Sequence, residues 1–171
     1  MVEDKMKSIN IDKIVVHICA GEIGTKLDNS KKVLSLLTDG RKPAETKSKT
    51  KLPKWGLRPG LAIGAKITLR KKSAEDFLKK TLKAKRNTLT KRCFDKNGGF
   101  AFGIKEYIDV EGMKYDPKVG VFGFDVLVNL KKPGSRVKDR VLKSAKLGEN
   151  GRITREEAQD FVTKAYGVVL E

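Results

Sequence analysis

The chain has 171 residues, with 38 Lys or Arg against 21 Asp or Glu, one His and two Cys, and a net charge of +17 at neutral pH. That length suits one domain able to bury a sizeable core without disulfides, and Cys19, Cys93 and the lone His17 are too few and too scattered for a disulfide framework or a zinc site. The N-terminal stretch Met1 to Lys7 is charged with no apolar run behind it, and no segment approaches the ~18 apolar residues of a membrane span, so a soluble, unsecreted protein with reduced thiols and no membrane partner is expected.

The first element is a strand over Ile9 to Cys19, where Ile14, Val16 and Ile18 share one face and Lys13, Val15, His17 and Cys19 the other. A turn at Gly21 to Gly24 follows. Asp28, Asn29 and Ser30 then offer caps to a short helix with Val33, Leu34 and Leu37 on one side, ended by Asp39-Gly40. Ala44 to Lys51 alternates Thr46, Ser48 and Thr50 with Lys47, Lys49 and Lys51, a polar edge strand. The run KLPKWGLRPG from Lys51 to Gly60 carries two prolines and two glycines among its cations, which predicts a basic, projecting loop.

The clearest strand is Leu61 to Arg70. Leu61, Ile63, Ala65, Ile67 and Leu69 form its core face, while Ala62, Gly64, Lys66, Thr68 and Arg70 form an open, small and basic face. Ser73 to Asp76 caps a helix that buries Ala74, Phe77, Leu78, Thr81 and Leu82. A turn at Asp95 to Gly99 leads to a strand over Phe100 to Ile104, and Val121 to Leu130 forms another, with Phe122, Phe124, Val126, Val128 and Leu130 inward. Finally Thr154 and Glu157 form a capping box for a helix that buries Ala158, Phe161, Val162, Ala165 and Tyr166 and stops at Gly167. Strands and helices that do not alternate regularly indicate an α+β fold: a mainly antiparallel sheet of four to five strands, helices on one face, and the opposite face available for a ligand.

The charge is unevenly spread along these elements. Residues 41 to 100 hold 19 Lys or Arg against four Asp or Glu, and residues 131 to 152 hold eight against two. Like charges this dense oppose the compact state unless a polyanion neutralises them, which points to nucleic acid. Lys47, Lys49, Lys131, Lys132, Arg136, Lys138 and Arg140 are the candidate phosphate contacts in these blocks. Trp55, between Lys54 and Arg58, either anchors its loop or packs on a ribose or base. Gly99-Phe-Ala-Phe102 has the core of an RNA-stacking signature but lacks its flanking residues, so both rings are expected to pack inside. Gly21 to Lys26 lies where backbone amides could cradle an anion, without phosphate-loop spacing. With one His and singly scattered acids, no acid-base pair, activated nucleophile, metal centre or cofactor site assembles, which excludes an enzyme.

Several runs together carry a family resemblance. Ile14 to Glu22 (IVVHICAGE), Gly40-Arg-Lys-Pro43, Trp55 to Gly60 (WGLRPG), Ile63 to Arg70 (IGAKITLR), Phe100 to Glu106 (FAFGIKE), Tyr115 to Asp125 (YDPKVGVFGFD) and Arg136 occur in the order seen in large-subunit ribosomal protein L-five, called L-eleven in eukaryotes. The similarity spans essentially the whole chain, and the wording GAKITLR and VNLKKPG is nearer the archaeal forms. The resemblance implies a central-protuberance protein that binds 5S rRNA and large-subunit rRNA, reaches the P-site tRNA through a loop, and contacts neighbouring ribosomal proteins, including a small-subunit bridge protein. On matching positions it implies 5S contacts at His17, Gly21, Arg41, Thr68 and Arg70, with Lys66 in the same strand row, and a tRNA-facing loop bearing Lys51, Lys54, Trp55 and Arg58. The family usually has Asn where His17 stands and Gln where Arg41 stands, and Asp39 is an extra residue. His keeps one donor, and Arg substitutes a charge-assisted contact for a neutral one. An RNA chaperone or regulatory RNA binder acting off the ribosome is the competing expectation.

Overall fold

Alternating apolar residues dictate most of the architecture. The computed structural model describes residues 6–22 and 24–171; the first five residues of the charged N-terminal stretch and Ile23, inside the Gly21 to Gly24 turn, lie outside the described residues. In chain order the elements are β1 (Asn10–Cys19), α1 (Thr25–Leu37), β2 (Ala44–Lys47), β3 (Ala62–Leu69), α2 (Lys72–Ala84), β4 (Thr88–Leu89), β5 (Phe100–Ile104), β6 (Phe124–Lys131), α3 (Arg136–Asp139), α4 (Arg155–Tyr166) and β7 (Val169–Leu170). Five strands form an antiparallel sheet in the order β2-β3-β1-β6-β5, and β4 and β7 form a separate parallel ribbon. The fold is α+β, as the periodicity predicts.

Contacts divide the chain into two compact units. The first comprises the stretch up to Ile14 with Arg70–Phe102 and Leu127–Glu171; the second comprises Val15–Leu69 and Gly103–Val126.

In the second unit, Val16, Ile18, Ala65, Ile67 and Leu69 are buried, and α1 packs against β3 with Leu27, Val33, Leu34 and Leu37 inward. Here α1 begins earlier than its caps suggest. Gly24, at φ 102°, occupies the N-cap with no side-chain hydrogen bond, and this left-handed backbone, open to glycine, turns the chain straight into the helix. Asp28, Asn29 and Ser30 therefore lie inside α1. Asp28 sits in the first turn, where the helix dipole favours it. The Asn29 side-chain amide donates to the Lys118 and Val119 carbonyls at 3.3 and 3.2 Å, tying down a distant loop. The Ser30 hydroxyl donates to the Leu27 carbonyl at 2.7 Å.

In the first unit, α2 buries Ala74, Phe77, Leu78, Thr81 and Leu82, the face that its 3.6-residue period predicts. Its start differs from expectation: the cap position is Lys71 at φ 57°, without a side-chain cap bond, so Ser73 is already helical. The reversal out of β3 uses Lys71 itself. Phe94, Phe100 and Phe102 are all buried, with Phe94 and Phe100 rings stacked at 5.2 Å, so these aromatics fill the core rather than meet a base. In α4, Thr154 and Glu157 form the expected reciprocal capping box and Gly167 ends the helix at φ 63°. Ala158 and Val162 are buried, Phe161 and Tyr166 are half-buried and meet edge to face at 6.3 Å, and Ala165 is exposed, contrary to expectation. Likewise β6 begins only at Phe124, with Phe122 half-buried in the approach to it.

Candidate nucleic-acid interface

The second unit presents the open face of β3. Because Ala65, Ile67 and Leu69 point into the core, Gly64, Lys66 and Thr68 point the other way. The antiparallel register sets Thr46 opposite Gly64 and Ala44 opposite Lys66. His17, from the outer row of β1, brings Nε2 to 3.4 Å from Thr46 Oγ1, a shared hydrogen bond. Gly64 lies beneath that pair: a Cβ there would sit 2.7 Å from the Ile18 carbonyl oxygen and 2.8 Å from Thr46 Oγ1. A larger residue would break the approach of the three strands. Lys66 and Thr68 are exposed, and among the described residues no hydrogen bond or ion pair engages either side chain.

Gly21 adjoins this face at the end of β1. The Ala20 and Gly21 amides both donate to the Ile63 carbonyl at 3.0 Å. Those two donors are therefore engaged within the tight turn. Arg41 is exposed just beyond α1.

Between β2 and β3 the chain makes a built loop. Its base is closed by the Ser48 amide donating to the Leu61 carbonyl at 2.7 Å and the Gly60 amide donating to the Ser48 carbonyl at 3.0 Å. Leu52 and Leu57 then exchange backbone hydrogen bonds at 3.0 and 3.1 Å, and Pro53–Trp55 forms one 3-10 turn at the tip. Trp55 is 70% exposed, so it is not folded back as an anchor. Lys51, Lys54 and Arg58 are exposed around it, as are Lys47 and Lys49 nearby. Among the described residues none of these five cations has an ion-pair partner, whereas Lys31, on α1, is held by Glu45 at 2.7 Å and Asp28 at 3.3 Å. Positive charge is thus left uncompensated along β2, the loop and β3.

In the first unit the cations are treated differently. Arg70 and Lys131 meet at Asp12: Lys131 Nζ is 2.6 Å and Arg70 Nη1 3.7 Å from the same oxygen, Oδ1, while the Asn129 amide donates to Oδ2 at 3.4 Å. The Lys131 hydrogen bond is the chief reason why the Asp12 carboxyl is held below the ordinary carboxylate range, against the opposing effect of burial. Lys132, the next residue, points inward. Its ammonium is buried and donates to both Glu157 oxygens, at 2.9 and 2.7 Å, and to the Arg152 carbonyl at 3.0 Å. Lys132 is therefore corrected from a phosphate contact to a structural residue: strand alternation at the end of β6 turns adjacent lysines to opposite sides. The same contact, followed by the Thr154 backbone bond, lowers the Glu157 carboxyl below its usual range. Arg136, Lys138 and Arg140 are exposed on α3 and the turn after it, where Val141 and Leu142 are also bare.

Sequence patterning missed Asp12, Thr46 and Asn129, which are polar residues in strands with no motif around them. Gly64 carried a signal, since an isolated glycine within an alternating strand marks close backbone approach.

The identity of this basic α+β chain follows from likeness along its length. Residues 4–58 match the family model described as "Ribosomal protein L5", and residues 62–161 match the model of the same ribosomal family's C-terminus. The chain belongs to the ribosomal protein L5 family. Relatives named "Large ribosomal subunit protein uL5" agree with that. The protein of Methanospirillum hungatei is 41% identical over 96% of this chain and 98% of its own length. That of Nanoarchaeum equitans is 41% identical over 99% of both, and that of Pyrobaculum aerophilum 42% identical over 97% and 92%. L5-family proteins are structural and non-enzymatic, and this member is a ribosomal protein of the archaeal and eukaryotic type. The two L5 family models meet at the basic loop, residues 59–61 falling between them.

Proposed function

We propose that this L5-family protein is a structural constituent of the large ribosomal subunit, in the cytoplasm, and binds 5S rRNA and large-subunit rRNA in the central protuberance. The observation that carries the reading is the open β3 row: Lys66 and Thr68 stand exposed and unengaged on a face kept flat by Gly64. A folded RNA can lie close to such a face, with cations releasing counterions from its phosphates and neutral donors reading its shape. His17 and Arg41 join the 5S contacts from the same unit, as does the surface of the Gly21 turn through groups other than its spent amide. Arg70 contributes from the first unit. Lys51, Lys54, Trp55 and Arg58 engage the P-site tRNA, the exposed ring supplying a stacking surface between cations. Lys47, Lys49, Lys131, Arg136, Lys138 and Arg140 contact rRNA phosphates, and neighbouring ribosomal proteins, among them a small-subunit bridge protein, complete the surroundings.

The test is binding of the purified protein to 5S rRNA and to a tRNA, across a salt series. Selective 5S binding that survives ~200 mM salt is expected, because non-specific charge attraction falls steeply there. Equal affinities erased by salt would reject the assignment and favour an indiscriminate RNA chaperone.

A further inference from the structure

Asp12, an acidic residue set between two cations of the first unit, has no place in a purely attractive picture of RNA binding. Asp12 removes one unit of favourable charge, and as a stabilising pair between half-exposed cations and a carboxylate it contributes little. Its geometry is more telling. The Asp12 side chain is only 17% exposed, while Lys131 and Arg70 keep 50% and 59% of theirs open. The anion lies inside and the two cations lie over it, both drawn to one oxygen, with Asn129 holding the other. Between them, Lys131 has spent one of its three donors and Arg70, at 3.7 Å, has a long contact only. Neither cation has another partner among the described residues, and each keeps half or more of its side chain open.

Without the carboxylate, these two long side chains would repel each other and sample many rotamers. With it, they share a fixed neighbourhood before any ligand arrives. We propose that Asp12 is a positioning residue that fixes Lys131 and Arg70 as one preformed two-cation receptor for a single RNA backbone phosphate, and so determines specificity by favouring an RNA whose fold presents a phosphate at that place. This rests on the RNA-binding reading above. An irregular RNA gains nothing from the ordering, since its flexible phosphates follow mobile lysines equally well. A folded RNA avoids the ordering cost, which for two such side chains corresponds to about 5- to 150-fold in affinity.

The experiment compares the intact protein with its Asp12→Asn and Lys131→Gln variants, and with the double variant, for binding to 5S rRNA and to single-stranded polyuridylate of similar length over a salt series. Thermal unfolding checks that each variant is folded. In Asp12→Asn, polyuridylate affinity should rise with the added net charge while 5S affinity falls, so that the ratio of the two drops by about tenfold. In the Lys131→Gln background, the further loss of 5S affinity on changing Asp12 should shrink to less than about twofold, because the pair to be positioned is already broken. A parallel rise for both RNAs would overturn the proposal, since Asp12 would then act only as a negative charge. So would an undiminished effect of Asp12→Asn when Lys131 is absent. Should Asp12→Asn unfold, Lys131→Gln alone decides: it must cost more 5S than polyuridylate affinity, and an equal loss for both rejects the receptor. Wild-type protein that fails to prefer 5S rRNA at all would instead reject the underlying RNA assignment, a result read before any variant is compared.

Discussion

Lys131 and Lys132 are neighbours of identical chemistry with different work. Lys131 faces water beside Asp12, while Lys132 is buried against Glu157 and the Arg152 carbonyl. Lys132→Met should therefore destabilise the protein by about 1–2 kcal/mol, below the usual cost of breaking a buried pair because Glu157 keeps 43% of its side chain exposed. Urea unfolding would measure it, and 5S rRNA affinity should stay within about twofold of wild type. A large loss of RNA affinity in the folded variant would return Lys132 to the interface. The pH dependence has a definite sign. The Glu157 carboxyl is lowered from 4.5 in the folded protein, so its contribution is full above about pH 4.5 and is lost as pH falls through the lower folded value. Lys132→Met should flatten that acid-side decline. On the open row, Lys66→Ala combined with Thr68→Ala should weaken 5S binding by about 2–4 kcal/mol, one charged and one neutral hydrogen bond. Unchanged affinity measured by titration would take β3 out of the site.

At the scale of elements, β1, β3 and α2 were legible because their apolar periods are long and uninterrupted: Ile14, Val16 and Ile18 in β1, Ala65, Ile67 and Leu69 in β3, and Phe77, Leu78 and Leu82 in α2. Helix starts were less so. Cap residues advertise a helix wherever they stand, but the starts of α1 and α2 are set by positive φ at Gly24 and Lys71, a property of how the chain leaves the preceding strand. The β4–β7 ribbon was not readable, since two residues per strand give no period and their pairing is remote in sequence. The candidate site divides similarly. The Lys66 and Thr68 row follows from alternation, whereas the grouping of Asp12 with Arg70 and Lys131 depends on side-chain meeting points that no spacing encodes. For the β2–β3 loop, closure at Ser48, Gly60 and Leu61 lies below the tip. Deleting Leu52 to Pro59 should then leave 5S binding intact and impair tRNA engagement in reconstituted large subunits. Loss of 5S binding by a folded deletion variant would contradict that division.

For the whole molecule, the balance of charge governs behaviour without RNA. A net charge of +17, with uncompensated cations along β2, the loop and β3, repels itself most strongly at low ionic strength. The isolated protein should therefore melt several degrees higher at about 0.5 M than at about 0.02 M monovalent salt, and a polyanion should reproduce the gain at far lower concentration. A melting temperature that is flat or falling with salt, read by circular dichroism, would mean that self-repulsion is not limiting.

The ribbon also constrains how the protein is made. Thr88 and Leu89 pair in parallel with Val169 and Leu170, so during synthesis β4 leaves the exit tunnel roughly 80 residues before its partner, about 4–16 s at ordinary elongation rates. Through that interval the first unit waits for its final strand, while the second unit has all its residues once Val126 is out, roughly 40 residues before Val169. The nascent chain therefore acquires its open β3 face before its other half can close, and an RNA already at hand would meet a half-built partner.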